Sequence, residues 1–106
     1  QRARWEEINS NQQLVCGMKY LLDSSAGPLS MTMPYEQAGV VPHVGDIIEV
    51  ADCKGTWAIN NVTLTTSSST IKFLNQFGNQ DHEFILDVAG MYIQFIWDGT
   101  NWRILM

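Results

Sequence analysis

The residues able to do chemistry are few and scattered. The two histidines, His43 and His82, stand alone, without the H-x-x-x-H or H-E-x-x-H spacing that sets two imidazoles on one helix face around a metal. Cys16 and Cys53 are 37 positions apart with no C-x-x-C pair, which predicts two reduced, packed thiols, slow to react until the protein unfolds. His43, Asp52 and Cys53 would make a nucleophilic set on paper, but such trios arise by chance in most chains of this length. Asp46, Asp52, Asp87 and Asp98 fall at the ends of strand-like runs, where carboxylates cap turns. A glycosidase would need two of them at a fixed separation, which spacing alone does not give. No Gly-x-Gly-x-x-Gly, P-loop or Gly-x-Ser-x-Gly occurs, so neither an enzyme nor a cofactor or metal site is expected. Aromatic rings stack on sugars, and Tyr35, Trp57 and Phe77 are candidates for such a platform, with Tyr92 a further aromatic to weigh. Against that stands the reading of these rings as core or subunit contact.

The elements that must position these residues are strands. Met91 to Met106 reads as a β-hairpin around Asp98-Gly99-Thr100-Asn101, whose residue types favour a tight turn. Its register sets Trp97 opposite Trp102, Phe95 opposite Ile104 and Ile93 opposite Met106 on one face. Tyr92, Gln94, Arg103 and Leu105 take the other. A lone ribbon is marginal in water, so the apolar face must be covered. Upstream, period-two alternation predicts strands over 14–23, 29–33, 46–52, 62–66, 70–74 and 83–88, broken by Gly, Pro and Asn/Ser clusters. Trp57-Ala58-Ile59 is a short apolar piece between turns. Residues 35–45, with Gly39, Pro42 and Gly45, read as a loop. Strand 46–52 is apolar on both sides, Ile48 and Val50 against Ile47 and Ala51, which suggests cover on both faces.

The sum is an all-β chain: a small antiparallel β-sandwich or barrel-like domain of about seven to eight short strands over residues 14–106. Residues 1–13 form a polar lead-in or connector with two apolar anchors, Trp5 and Ile8, spaced for one helical turn. The 106 residues suit one domain, and four Trp, four Phe and three Tyr can fill its core. Six basic against eleven acidic residues, net −5, exclude a nucleic-acid partner, which needs clustered Lys and Arg. No run approaches the ~18 apolar residues of a membrane span, and no apolar leader is visible. A start without Met suggests a fragment or a processed product.

Four stretches then come in a familiar order: Tyr20-Leu-Leu-Asp-Ser-Ser-Ala-Gly-Pro-Leu-Ser-Met-Thr-Met-Pro34, Gly45-Asp-Ile-Ile-Glu-Val-Ala-Asp52, Asn60-Asn-Val-Thr-Leu64 and Trp97-Asp-Gly-Thr-Asn-Trp-Arg-Ile104. Together they resemble the small β domain of tail fibres, tailspikes and baseplate proteins of tailed bacteriophages, over about residues 14–106. The Pro34–Gly45 loop is longer than that pattern, and the 70–81 region lacks its Gly-rich turn. The resemblance implies a non-enzymatic structural and attachment module, homotrimeric in the virion and assembled in the bacterial cytoplasm. It also implies other phage tail proteins as partners, and a host surface glycan as a further one. A small domain leaves apolar surface that a trimer would cover, and Trp5, Ile8, Ile47, Ala51, Tyr92 and Leu105 are the expected subunit contacts. The alternative is a monomeric carbohydrate-binding module that recognises cell-surface glycan through Tyr35, Trp57 and Phe77.

Overall fold

The computed structural model describes residues 4–34, 42–66, 70–75 and 80–105. Among them are eleven short strands and no helix. They are β1 Glu6–Ile8, β2 Gln12–Gln13, β3 Lys19–Leu22, β4 Leu29–Thr32, β5 Ile47–Ala51, β6 Val62–Thr65, β7 Phe73–Leu74, β8 Gln80–Asp81, β9 Glu83–Leu86, β10 Tyr92–Trp97 and β11 Trp102–Leu105. They form a seven-stranded sheet in the order β1-β3-β5-β10-β11-β7-β8 and a four-stranded sheet in the order β2-β4-β6-β9. The all-β, sandwich-like architecture agrees with the alternation. The count exceeds seven to eight because segments read as loops add two- and three-residue strands.

The sheets are mixed, which corrects the antiparallel expectation. From β1 to β6 the chain visits the large and small sheets alternately. Each return therefore lays a strand parallel to the last one in that sheet: β1 with β3, β3 with β5, β2 with β4, β4 with β6. A crossover between sheets restores strand direction, whereas a hairpin reverses it. In the later part β10 pairs with β5 and β11, β9 with β6 and β7 with β8 antiparallel as expected, while β7 lies parallel to β11.

The lead-in is likewise part of both sheets. Glu6–Ile8 pairs with β3, and Ile8 lies in the core at 5% exposure, not at a subunit contact. Leu14 to Gly17 does not extend β3: Gly17 takes a positive φ of 83° and its amide bonds Ile47 O at 2.8 Å, turning the chain into the strand. Residues 70–72 precede β7 and are not themselves strand.

Alternation within each strand sends one set of side chains between the sheets. Ile48, Val50, Ile93, Phe95 and Trp102 from the large sheet meet Met31, Val62, Leu64 and Leu86 from the small one, all fully buried. The hairpin takes the register its alternation requires, Trp97 against Trp102 and Phe95 against Ile104. The two indoles lie 5.2 Å apart between centroids at 58°. The expected partner of Ile93, Met106, lies outside the described residues.

Candidate interaction surface

Side chains that do not enter the core leave two outer faces of different chemistry. On the small sheet the outward positions of β4 and β6 are Ser30, Thr32, Thr63 and Thr65, a hydroxyl-bearing face suited to water. On the large sheet the registers line up three rows across the strands. One runs Leu21, Ala51, Tyr92; the next Lys19, Glu49, Gln94, Leu105; the third Ile47, Ile96, Arg103, Leu74. Tyr92 and Leu105 are 48% and 43% exposed, so large apolar groups stand in solvent here.

Trp5 joins this face from the approach to β1. Its ring meets Tyr92 edge-on at 6.0 Å, and Lys19 Nζ sits 5.8 Å from its centroid. Lys19 Nζ also lies 3.9 Å from Glu49 Oε2, while Tyr92 donates its hydroxyl hydrogen to Glu49 Oε1. That bond to Glu49 is the largest of the causes that hold the Tyr92 phenol above its ordinary value, followed by desolvation and the Glu49 charge. Four side chains from β3, β5, β10 and the lead-in thus fix one another. The ion pair adds little by itself, about 0–1 kcal/mol at this exposure, but it sets the rotamers of a pre-arranged patch.

Of the expected subunit contacts, Trp5, Ile47, Ala51, Tyr92 and Leu105 all come together on this one face. Ile8 does not. Sequence reasoning missed Leu21 and Ile96, although each follows its own strand's period-two alternation from Lys19 and from Gln94.

The sugar platform loses its central member. Trp57 is fully buried: its indole Nε1 donates to Leu22 O at 2.9 Å and its amide donates to Asp52 Oδ2 at 3.1 Å. A ring in that position cannot stack on a ligand. The reason is local, since the turn after β5 folds the indole inward where its N–H finds a carbonyl. Tyr35 and Phe77 lie outside the described residues.

The strand-end carboxylates act on backbone. Asp52 accepts from the amides of Thr56 (3.1 Å), Trp57 (3.1 Å) and Gly90 (3.0 Å), joining two turns. Burial pushes its pKa up, yet the amides of Gly90, Trp57, Thr56 and Gly55 outweigh that and hold it below the ordinary value. Asp98 closes the hairpin turn on the amides of Thr100 and Asn101, at 2.9 and 2.7 Å, and takes Arg103 Nε at 3.0 Å. Its pKa is lowered in the same way: burial opposes, and the two amides and then Arg103 prevail. Asp46 accepts from the His43 amide at 2.8 Å.

His43 and Cys53 sit beyond opposite ends of β5, more than ~15 Å apart at ~3.3 Å per residue, so the paper trio with Asp52 does not assemble. Both cysteines are free. Cys53 is exposed, which corrects the expectation of two packed thiols. Cys16 is partly buried, and burial, with Asp46 beside it, pushes its thiol up to about 11. Among the described residues no group of His, Cys, Asp or Glu could hold a metal ion, and no helix is long and apolar enough to cross a membrane. No family model matches this chain, and a search of curated proteins finds no match.

Proposed function

We propose that the chain is a non-enzymatic structural and attachment module of a bacteriophage tail, in a fibre, tailspike or baseplate. It forms a homotrimer through the outer face of its large sheet and contributes to virion assembly and host-cell adhesion. The phage assignment rests on the four ordered stretches quoted above. The observation that carries the assembly role is the contrast between the two outer faces: mainly hydroxyl groups with Glu83 and one apolar side chain, Ile85, across β4, β6 and β9 of the small sheet, and Leu21, Ile47, Tyr92, Ile96 and Leu105 on the large one. A sandwich meant for water on both sides would not gather five large apolar side chains on one outer face.

Five strands, β1, β3, β5, β10 and β11, three to six residues long and about 4.8 Å apart, give a patch of roughly 350 Å² before side-chain relief. Standard interfaces bury about 800 Å² per partner. Three such faces leaning on a common axis therefore make an assembly that depends on protein concentration.

Two double variants test this. Tyr92→Lys with Leu105→Lys places charge on the large sheet, and Thr32→Lys with Thr63→Lys places the same charge on the small one. Light scattering should find the first monomeric and the second still trimeric. Equal loss from both, or from neither, would remove the large-sheet face from the proposal.

A further inference from the structure

The four-stranded sheet ends at β9, and among the described residues no strand pairs with its outer edge. The Thr66 amide donates to His82 O at 3.0 Å, and the register pairs Leu64 with Phe84 and Val62 with Leu86. In an antiparallel ladder hydrogen-bonded pairs alternate, so Phe84 and Leu86 turn their backbone groups toward β6. Glu83 and Ile85 turn theirs outward. Among the described residues the Glu83 amide finds only a long contact to Asp81 Oδ1, 3.4 Å, and Ile85 is 50% exposed. At four residues this is longer than the terminal strands β1, β2 and β8.

Such an edge is a template for another strand, and proteins usually guard it with charge, most often Lys. Here the charge is all negative: Asp81 and Glu83 on one side of Ile85, Asp87 on the other. None of the three has an ion-pair partner among the described residues. All six basic residues lie outside residues 81–87 in the sequence, and Lys72 approaches in space only at the His82 end, where Ile71 O lies 3.2 Å from His82 Nδ1 and Phe73 pairs with Asp81. A second copy would bring the same carboxylates to the edge and be repelled, while an extended basic segment would be attracted.

We infer that the β9 edge docks an extended, Lys- or Arg-bearing segment of a partner protein by strand addition. The partner's backbone pairs with Glu83 and Ile85, an apolar side chain lies beside Ile85, and basic side chains lie beside Glu83 and Asp87. This surface is separate from the large-sheet face, so it stands or falls independently of the trimer.

The test uses the full chain, a short synthetic peptide alternating lysine and valine, and its glutamate–valine counterpart. The basic peptide should bind, with affinity falling as salt rises, and should slow exchange of the Ile85 amide. The acidic peptide should bind at least ~tenfold more weakly. Ile85→Pro removes an outward N–H without touching the ladder to β6, and should cut binding at least ~tenfold. If that variant misfolds, Glu83→Lys with Asp87→Lys provides the same test and should reverse the preference to the acidic peptide. Three results would overturn the inference: no binding of the basic peptide at millimolar concentration, binding that neither variant changes, or Ile85 protection by self-association without peptide.

Discussion

Asp52 offers the sharpest perturbation of the fold. The residue is 8% exposed, and its carboxylate accepts from the amides of Thr56, Trp57 and Gly90, tying the turn after β5 to the one before β10. Asp52→Asn keeps the shape but leaves one oxygen to accept, and turns an NH₂ toward at least one amide that needs an acceptor. A hydrogen bond to a charged group contributes ~1.5–3 kcal/mol against ~0.5–1.5 for a neutral one, and an unmet buried donor costs ~1–3. Losing one bond and weakening two, less the recovered cost of burying a charge, comes to about 2–4 kcal/mol. At ~4–8 °C per kcal/mol that is a fall in Tm of roughly 10–30 °C at neutral pH. The pH dependence has a fixed sign. The folded pKa of Asp52 lies below its unfolded value of about 3.9, so its stabilisation is complete above that value and is lost as pH falls through the folded pKa. The asparagine does not titrate, and the two proteins should converge in acid. Urea unfolding of both, from neutral pH downward, measures the gap. A gap under ~0.5 kcal/mol at neutral pH, or one that stays constant into acid, would refute the reasoning.

Three further outcomes follow from particular side chains. Trp102→Ala should cost about 3–5 kcal/mol in chemical denaturation. Trp102→Phe should cost far less, because it also removes Nε1, a buried donor without a partner among the described residues. Maleimide labelling read by mass spectrometry should add the first group on exposed Cys53, slowed because burial and the Asp23 and Glu7 carboxylates raise its thiol, and a second only on unfolding, since Cys16 is partly buried and its thiol is pushed up to about 11. Equal rates at both, or a native mass two hydrogens short, would contradict this. Trp5→Ala should lower the mass seen in sedimentation while leaving Tm within a few degrees, because Trp5 packs on the outer face through Tyr92 and Lys19.

The hairpin was legible in the sequence because both of its signals are local: turn residues at Asp98–Asn101 and strict alternation on either side. β4, β5, β6 and β9 were legible for the same reason. Strand direction was not, since side chains alternate identically in parallel and antiparallel ladders. The successive crossings between sheets leave no mark in the pattern. β1 and β2 were hidden because Glu6, Glu7, Gln12 and Gln13 are polar, and they become strands only through pairing with β3 and β4. Trp57 was misread for a related reason: its burial depends on Leu22 O, 35 residues away. The large-sheet face was half legible. Tyr92 and Leu105 could be assigned to one side of the hairpin, and Ile47 and Ala51 to one side of β5, but only the β5–β10 register joins them.

The central claim is that this face assembles three copies of the chain. Sedimentation velocity of the intact protein across micromolar concentrations tests it most directly. The account predicts a species of three times the 12.0 kDa chain mass, growing with concentration at the expense of monomer. A single 12.0 kDa boundary at every concentration would contradict it.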